Sequence, residues 1–499
     1  MKSTPRWPAE CDAAVVSPPQ PSLRTSRWPL CVSLEGALLG TDPLFESLLL
    51  AVKRFPWLLL LAPFWFFRGK AHLQRRLAAH AIPDAAALPY RRSVLQFLRR
   101  EKEAGRVLIL VGSEERVARS VARHLELFDH VVVGDATIAG SGLAKLAAIR
   151  ECLGRRGFAY LGRSPEDLAV WEAAAEAYLA SPGRGLVERA RTVCAPLVLD
   201  GSADPVRGVR NALKALRPHQ WVKNLLVFVP LFLAHQTDQL SKAGLACLAF
   251  AAFCCCASAI YVLNDLLDIE SDRRHATKCR RPFAAGQLSP AAGLAMAPAL
   301  GLLGLGIAAH FVSTRFCGLL AVYVLLTTAY SLFLKKQAVL DVLLLAGLYT
   351  FRILAGAVAV DVQLSPWLTA FSMFFFFSLA LGKRYVELSR REGADHEELP
   401  GRGYRKEDLS LLESVGPTSG YMAVLVFCLY IESAGVKAMY GRPWLLWLAC
   451  PMLLYWITRF WLLARRRQIA DDPVVFALKD WASLCSIATT AVAVLLAKA

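Results

Sequence analysis

Apolar runs of transmembrane length fill the second part of the chain and restrict the folds that are open to it. Each run is long enough to cross the hydrocarbon core of a bilayer as a helix. The predicted spans lie near residues 222–237, 243–263, 291–311, 316–334, 338–360, 366–382, 417–437, 443–463 and 474–497. The sequence therefore predicts an all-α polytopic membrane bundle of about nine transmembrane helices over residues 218–499.

Basic residues follow every second predicted span. The loops after the second, fourth, sixth and eighth spans contain Arg273, Arg274, Lys278, Arg280, Arg281, Lys335, Lys336, Lys383, Arg384, Arg390, Arg391, Arg465, Arg466 and Arg467. Because cytoplasmic loops carry an excess of lysine and arginine, these loops are expected to face the cytoplasm. The pattern predicts a multi-pass protein of the inner (cytoplasmic) membrane, with its N-terminal domain on the cytoplasmic side.

The formal net charge of +17 has the same explanation, because basic loops contact anionic membrane lipids. The sequence has no zinc-finger spacing and no basic patch interleaved with aromatic residues, so no nucleic-acid partner is expected. Its thirteen cysteines are mostly isolated, which indicates small buried side chains in a reducing compartment.

Charged and apolar positions alternate before the apolar runs, as they do in a soluble domain. We expect a disordered leader at 1–29, an α/β domain at 30–204 and a basic linker at 205–217. Strands are predicted at 30–34, 107–111, 131–133 and 158–161, with helices that include 114–126 and 164–179. Strands that alternate with helices favour a parallel sheet. The segment near 55–67 is rich in Trp, Phe and Leu and too short to span comfortably, so we expect a helix in the membrane interface.

Three aspartates lie between two of the predicted spans. Asp265, Asp268 and Asp272 are spaced three and four apart, so they would share one face of a helix. Carboxylates at the mouth of a membrane bundle are costly unless they hold a cation, and oxygen ligands suit Mg²⁺. The basic residues that follow suit phosphate oxygens. A charged loop that only obeys the positive-inside rule would need the basic residues but not the aspartates.

Three further segments combine charged and polar residues at predicted span ends. Lys223 and Asn224 flank the first span, where a basic-aromatic membrane anchor is the simpler interpretation. Asp341 and Arg352 lie inside the fifth span, as functional candidates or as a structural ion pair with each other. The third segment ends the sixth span with Lys383, Arg384, Tyr385 and Glu387.

Several of these motifs resemble the UbiA superfamily of intramembrane prenyltransferases, over roughly residues 210–499. Asn264-Asp-x-x-Asp268-x-x-x-Asp272-Arg, with Lys278 and Arg281-Pro282, is similar to the first Asp-rich motif of that family. Segments 217–224, 334–341 and 382–388 are similar to one branch, the decaprenyl-phosphate phosphoribosyltransferases. The chain departs from typical aromatic prenyltransferases at 383–387, where their second Asp-rich motif would lie.

The resemblance implies transfer of 5-phosphoribose from phosphoribosyl diphosphate to a polyprenyl phosphate of the decaprenyl type, for cell-envelope glycan precursors. It implies a Mg²⁺ cofactor on Asp265, Asp268 and Asp272. The candidate catalytic residues are Asp265, Asp268, Asp341 and Glu387. The candidate substrate-binding residues are Lys223, Asn224, Asn264, Lys278, Arg281, Tyr330, Lys335, Arg352, Lys383, Arg384 and Tyr385. Of the four catalytic candidates, Asp341 and Glu387 are expected to stabilise an oxocarbenium-like transition state.

Two alternatives remain open at this point. One is prenyl transfer from a prenyl diphosphate to an aromatic acceptor. The other is a non-catalytic lipid-phosphate binder or carrier. A homo-oligomer is compatible with either.

The N-terminal part resembles the haloacid-dehalogenase-like (HAD-like) phosphatases over about residues 30–200. Segment 31–38 aligns with the opening motif of that family, Ser113 with the second, Lys145 with the third and segment 162–167 with the fourth. Ser33 and Glu35 replace the two catalytic aspartates, and Arg163 replaces an acidic metal-binding position. An aspartyl-phosphate needs a carboxylate nucleophile, so the domain is expected to be inactive and to have a regulatory, docking or folding role.

Overall fold

The computed structural model describes residues 28–55, 57–134, 142–181, 184–199, 205–390, 402–469 and 473–498. Residues 1–27 of the predicted leader and the predicted cytoplasmic Arg391 lie outside the described residues. The chain divides into two compact units. The first contains Met1–Leu216 with Tyr261–Ala297, and the second contains Arg217–Ile260 with Pro298–Ala499.

A six-stranded parallel sheet forms the centre of the first unit. Its strands are β1 (Leu30–Ser33), β2 (Leu108–Gly112), β3 (His130–Val133), β4 (Ala159–Gly162), β5 (Glu176–Leu179) and β6 (Leu197–Val198). They lie in the order β3-β2-β1-β4-β5-β6. From β1 the chain adds β2 and β3 on one side, and it then adds β4, β5 and β6 on the other side of β1. The direction of the crossovers therefore reverses between β1 and β4. The carboxyl ends of these two strands form a topological switch point, where ligands bind in sheets of this kind.

The four predicted strands are confirmed, but the predicted helix at 164–179 is wrong at its C-terminal end. Its helix ends at Ala173, and the residues that follow form β5. In the parallel pairing of β4 with β5, Tyr160 lies opposite Ala177 and Leu161 lies opposite Tyr178, and Leu179 is fully buried. Tertiary pairing decides the conformation of such a short segment, which a local pattern does not reveal.

Helices cover both faces of this sheet. The helices of this part of the chain are α1 (Pro43–Arg54), α2 (Leu58–Phe67), α3 (Lys70–His80), α4 (Arg92–Glu103), α5 (Glu115–Leu125), α6 (Gly142–Leu153), α7 (Leu168–Ala173), α8 (Arg184–Arg191) and α9 (Pro205–Leu216). Val32 and Leu110 face α4 and α5, whereas Cys31 and Ile109 face α6 and α7. Burial on both faces explains why the strands are continuous apolar runs.

Two further segments predicted from the sequence, at 205–217 and near 55–67, are both helical in the structure. The segment predicted as a linker at 205–217 contains helix α9 rather than irregular chain. The segment predicted as an interfacial helix contains α2, and its Phe64 and Phe67 side chains are 69% and 87% exposed. Exposed aromatic side chains are typical of interfacial helices, and membrane docking of α2 stays a prediction.

The rest of the chain is helical. The helices are α10 (Val229–Leu233), α11 (Leu240–Leu267), α12 (Ile269–Arg273), α13 (Pro290–Ile307), α14 (Thr314–Leu332), α15 (Leu340–Ala359), α16 (Pro366–Ser389), α17 (Leu409–Glu432), α18 (Ala434–Met439), α19 (Ala449–Arg465), α20 (Pro473–Lys479) and α21 (Trp481–Lys498).

Eight helical stretches in the described part of the chain are long and apolar enough to cross a membrane. They are Leu240–Leu267, Pro290–Val312, Thr314–Leu332, Leu340–Ala359, Pro366–Ser389, Lys406–Glu432, Pro443–Arg465 and Trp481–Lys498. The count differs from the predicted nine at the first span. There, Pro218–Phe228 forms a 3₁₀ helix and only α10 is α-helical. Pro218 and Pro230 each lack a backbone N–H donor, which disfavours one continuous α-helix.

A close contact in the second unit fixes the 3₁₀ segment against α15. A Cβ atom added at Gly356 would lie 2.2 Å from the carbonyl oxygen of Val227. Only glycine therefore allows this approach. The contact brings the polar residues that precede Val227 next to the polar residues of α15.

Candidate active site

The Asp-rich segment of the first unit begins in the last turn of α11, which contains Asp265, and continues through α12. Arg281 donates from one nitrogen, Nη1, to Oδ1 of Asp265 at 3.1 Å and to Oδ2 of Asp272 at 2.5 Å. Both carboxylates are almost fully buried, and the Arg281 side chain is 29% exposed. Two of the three predicted metal ligands therefore converge on one point, which a cation of the protein itself occupies.

Asp268 lies apart from that pair. Its φ and ψ of −101° and 10° interrupt the helix between α11 and α12, so it leaves the face that the spacing predicted. Its Oδ1 accepts a hydrogen bond from Lys53 Nζ at 3.0 Å. No group of three or more Asp, Glu, His or Cys residues is arranged to hold a metal ion within the described ranges. The structure thus brings Asp265 and Asp272 to one point and Asp268 to Lys53, and a metal site on these aspartates stays a prediction.

The remaining donor set still fits a magnesium ion. Asp265 and Asp272 both reach a single positive centre, and carboxylate oxygens are the ligands that Mg²⁺ prefers. Mg²⁺ is usually bound by one or two carboxylates together with water and substrate phosphates. In this segment Asn264 is half-buried and Lys278 is exposed.

Arg352 is the centre of a second cluster, in the second unit. Its guanidinium donates to Asn224 Oδ1 at 3.0 Å, to the carbonyl oxygen of Leu348 at 2.7 Å and to Tyr323 Oη at 2.7 Å. It also lies over the Tyr323 and Tyr349 rings, 5.0 and 5.3 Å from their centroids. The side chain is buried, and every one of these partners is neutral.

Further positive charge surrounds this cluster. Lys223 Nζ lies 5.9 Å from the centroid of the Tyr349 ring that Arg352 also contacts. A buried cation held by neutral groups, in a positive environment, is an arrangement that favours an anionic ligand.

Asp341 does not pair with Arg352, as the structural alternative assumed. Instead it is fully buried and accepts from Arg384 Nε at 2.6 Å and from Tyr404 Oη at 2.8 Å. Glu387 pairs with Nη1 of the same Arg384. Arg384 is therefore a buried residue whose charge is neutralised by two carboxylates. The predicted roles of Arg384 as a phosphate-docking cation and of Asp341 as a carboxylate facing the substrate stay predictions.

Tyr330 connects this network to a residue that the sequence did not single out. Its hydroxyl accepts hydrogen bonds from Arg384 at 3.1 Å and from Arg402 at 2.7 Å. Arg402 and Tyr404 were both missed, because they lie beyond a polar loop with no motif of its own. The pKa of Tyr404 is raised by burial and by the charge of Asp341, which keeps its hydroxyl a donor.

The other predicted residues of this region have different positions. Tyr385 is buried, and its ring packs edge-on to Trp461 with centroids 5.9 Å apart, so the structure assigns it to the core. Lys383 and Lys335 are half-buried.

A third cluster lies at the switch point of the sheet. Lys145 Nζ donates to Ser33 Oγ at 3.1 Å and to Asp167 Oδ1 at 2.8 Å. Asp167 also accepts from Tyr160 Oη and from the backbone N–H of Arg163, both at 2.9 Å. Three of the four motif segments of the predicted N-terminal domain therefore meet in this cluster, and the Lys145 ammonium is paired with the Asp167 carboxylate.

Glu35 contributes to the same cluster. Its Oε1 accepts from the backbone N–H of Ser113 at 2.8 Å. Burial raises the pKa of this carboxyl. The Glu35 side chain is thereby held by the second motif segment.

Comparison with known proteins shows the family. The model of the UbiA prenyltransferase family matches residues 225–484. The chain belongs to this family. UbiA proteins are membrane-embedded transferases, so this protein is an integral membrane transferase.

Two relatives and one solved structure complete the comparison. The uncharacterized protein y4nM of Sinorhizobium fredii is 36% identical over 91% of this chain and 88% of the relative. Decaprenyl-phosphate phosphoribosyltransferase of Mycolicibacterium smegmatis is 38% identical over 38% of this chain, which spans 60% of that enzyme. A UbiA homolog from Archaeoglobus fulgidus bound to GPP and Mg²⁺ is 15% identical, with a TM-score of 0.44, over 57% of this chain and 99% of the homolog.

Replacement of Asp341 tests whether its pair with Arg384 is structural. Asp341→Asn removes the carboxylate that is buried with Arg384, and breaking a buried pair from one side costs about 3 kcal/mol or more. Glu387→Gln removes the other, partly exposed partner and should cost less than about 1 kcal/mol. Unfolding midpoints of the two purified variants in mild detergent give the comparison. Equal midpoints for both would contradict the structural assignment.

Proposed function

We propose that this protein transfers 5-phosphoribose from phosphoribosyl diphosphate to a polyprenyl phosphate of the decaprenyl type, with release of diphosphate. The product would serve as a precursor of a cell-envelope glycan. One observation carries the choice of donor. The segment where aromatic prenyltransferases have a second Asp-rich motif contains Lys383 and Arg384, and both nearby carboxylates, Asp341 and Glu387, bind Arg384. No carboxylate pair is left there for a second metal-bound diphosphate among the described residues.

The relatives support the same choice. The Mycolicibacterium smegmatis enzyme is named for phosphoribosyl transfer to decaprenyl phosphate, and it is 38% identical over 192 residues.

The donor is assigned to the Asp-rich segment. Asp265 and Asp272 would hold Mg²⁺, which neutralises the leaving diphosphate when it is bound. Arg281 now bridges the two carboxylates and has N–H donors suited to diphosphate oxygens. In the reaction the bond between the ribose C1 and the diphosphate oxygen breaks, and its electron pair leaves with diphosphate.

The acceptor is assigned to the cluster around Arg352. A phosphate monoester is already an anion, so one of its oxygens can attack C1 without a strong general base. What it needs is a positive site at the membrane. Arg352 provides one because no carboxylate is among its contacts in the described part of the chain, and Lys223 lies beside the Tyr349 ring that Arg352 also contacts.

The positive-inside pattern places the Asp-rich segment on the cytoplasmic side in this proposal. That segment and the N-terminal domain belong to one compact unit, so we infer that both lie on that side. Helix α11 crosses the membrane once and ends at the Asp-rich segment on the cytoplasmic side, so it begins on the opposite side. The segment that connects the cytoplasmic N-terminal domain to the start of α11 therefore has to cross the membrane as well. Eleven 3₁₀ residues and the five of α10 extend over about 30 Å, which is the thickness of the hydrocarbon core.

Transfer of label from phosphoribosyl diphosphate to lipid tests the function and its sidedness. In sealed inside-out vesicles with polyprenyl phosphate and Mg²⁺, we expect labelled lipid, because the charged donor reaches only the exposed cytoplasmic face. Right-side-out vesicles or a chelator should abolish the signal. Asp265→Asn should reduce the rate by at least about 100-fold, since it removes a ligand of the neutralising metal. Labelled lipid from prenyl diphosphate and an aromatic acceptor instead would contradict the proposed donor.

We further propose that the N-terminal domain is an inactive relative of the HAD-like phosphatases. Its sheet order and its cluster of four motif segments support this. The position of the nucleophile holds Ser33, and Arg163 stands in place of a metal-binding acid. Lys145, which would face a substrate phosphate in an active enzyme, is paired with Asp167.

Hydrolysis of p-nitrophenyl phosphate by the purified full-length protein tests this second proposal. No Mg²⁺-dependent hydrolysis above the background is expected, because a serine forms no aspartyl-phosphate. Mg²⁺-dependent turnover that Ser33→Ala removes would overturn it.

A further inference from the structure

Helix α1 of the N-terminal domain contacts the Asp-rich segment with one face. Glu46, Leu49 and Lys53 are spaced three and four apart, so they lie on the same side of the helix. Leu49 is buried with Leu266 and Ile269, which flank Asp268 in the sequence. Both ends of the Asp-rich segment therefore pack on a helix that belongs to a different part of the chain.

Glu46 forms a bidentate ion pair with Arg273. The two hydrogen bonds measure 3.0 and 2.6 Å, and the side chains are 2% and 8% exposed. Arg273 Nε also donates to the carbonyl oxygen of Ala284 at 3.1 Å. The pair thus joins the two ends of the loop that carries Arg281, the cation between Asp265 and Asp272.

Lys53 holds the other side of the segment. Its Nζ donates to the carbonyl oxygen of Leu267 at 2.9 Å and to Asp268 Oδ1 at 3.0 Å. A cation at this carbonyl is favourable because the C-terminal end of a helix carries partial negative charge. Lys53 therefore fixes Asp268 at the point where α11 is interrupted.

We propose that Glu46 and Lys53 are positioning residues of the transferase, through which the N-terminal domain holds the Asp-rich segment in the geometry that binds the diphosphate donor. This rests on the assignment of the donor to that segment. A buried ion pair contributes little net stability compared with an apolar pair of the same size. Its bidentate geometry instead fixes the orientation of the Arg273 side chain. A loop that carries a substrate-binding residue has to be held in one orientation.

Steady-state kinetics of the full-length protein in membranes test the positioning role. Glu46→Gln should raise the KM for phosphoribosyl diphosphate about tenfold, while the KM for polyprenyl phosphate stays within about twofold. Lys53→Gln should shift the donor KM in the same direction, and Lys53→Arg should restore it. Because Lys53 is 46% exposed, its variants put folding at little risk.

Glu101→Gln is the matched control. It breaks another buried ion pair of the same domain, with Arg106 at 2.7 Å, and Arg106 also donates to the carbonyl oxygen of Trp28 and to Glu176. A purely structural role of Glu46 would make Glu46→Gln behave like this control, with less active enzyme but unchanged KM values. That result, or equal rises in both KM values, would overturn the proposal.

Hydrogen exchange separates this proposal from the proposed reaction. Glu46→Gln should speed backbone exchange in residues 268–286 and leave the strands of the sheet unchanged, whereas Glu101→Gln should leave 268–286 as in the unchanged protein. If the unchanged protein transfers no phosphoribose, the proposed function fails. Faster exchange in Glu46→Gln would in that case still support the proposal that α1 fixes the Asp-rich segment. Unaltered exchange in 268–286 of this variant would refute that proposal, whatever the reaction is.

Discussion

The burial of positive charge among apolar helices is the constraint on which the second unit depends. A guanidinium in such a place has to be neutralised or held by polar groups. Arg384 is neutralised, by Asp341 and Glu387. Arg352 is held by neutral oxygens and two aromatic rings, so its charge is retained. This difference supports our proposals that Arg384 is a structural cation and that Arg352 binds an anion.

The same rule explains the first unit. The acidic residues in and around its Asp-rich segment are paired with cations of the protein: Asp265 and Asp272 with Arg281, Asp268 with Lys53, and Glu46 with Arg273. Lys53 and Glu46 come from helix α1, so the N-terminal domain takes part in the electrostatics of this segment. In our proposal, the N-terminal domain therefore positions the Asp-rich segment and has no phosphatase activity of its own.

Much of this fold was predictable from local sequence, and the main errors arose from distant partners. Long apolar runs predicted the eight membrane helices, and continuous apolar strands predicted β1 to β4. The short β5 depends on pairing with β4. The spacing predicted three aspartates on one helical face, but Asp268 contacts Lys53, 215 residues earlier. Arg384 pairs with Asp341, 43 residues away, which no local pattern reveals. Lys223, Asn224 and Arg352 were selected as candidates because charged and polar residues are rare at the ends and in the interior of apolar spans, and the structure brings the last two into contact.

The most direct test of this account is equilibrium binding of polyprenyl phosphate and of the uncharged polyprenol to the protein in nanodiscs. The unchanged protein should bind the phosphate at least about tenfold more tightly than the alcohol. Arg352→Gln should remove that preference, and Arg442→Gln, which deletes the same charge at an exposed position, should keep it. Equal affinity for the two lipids, or a preference that survives Arg352→Gln, would contradict the assignment of Arg352 as the phosphate site.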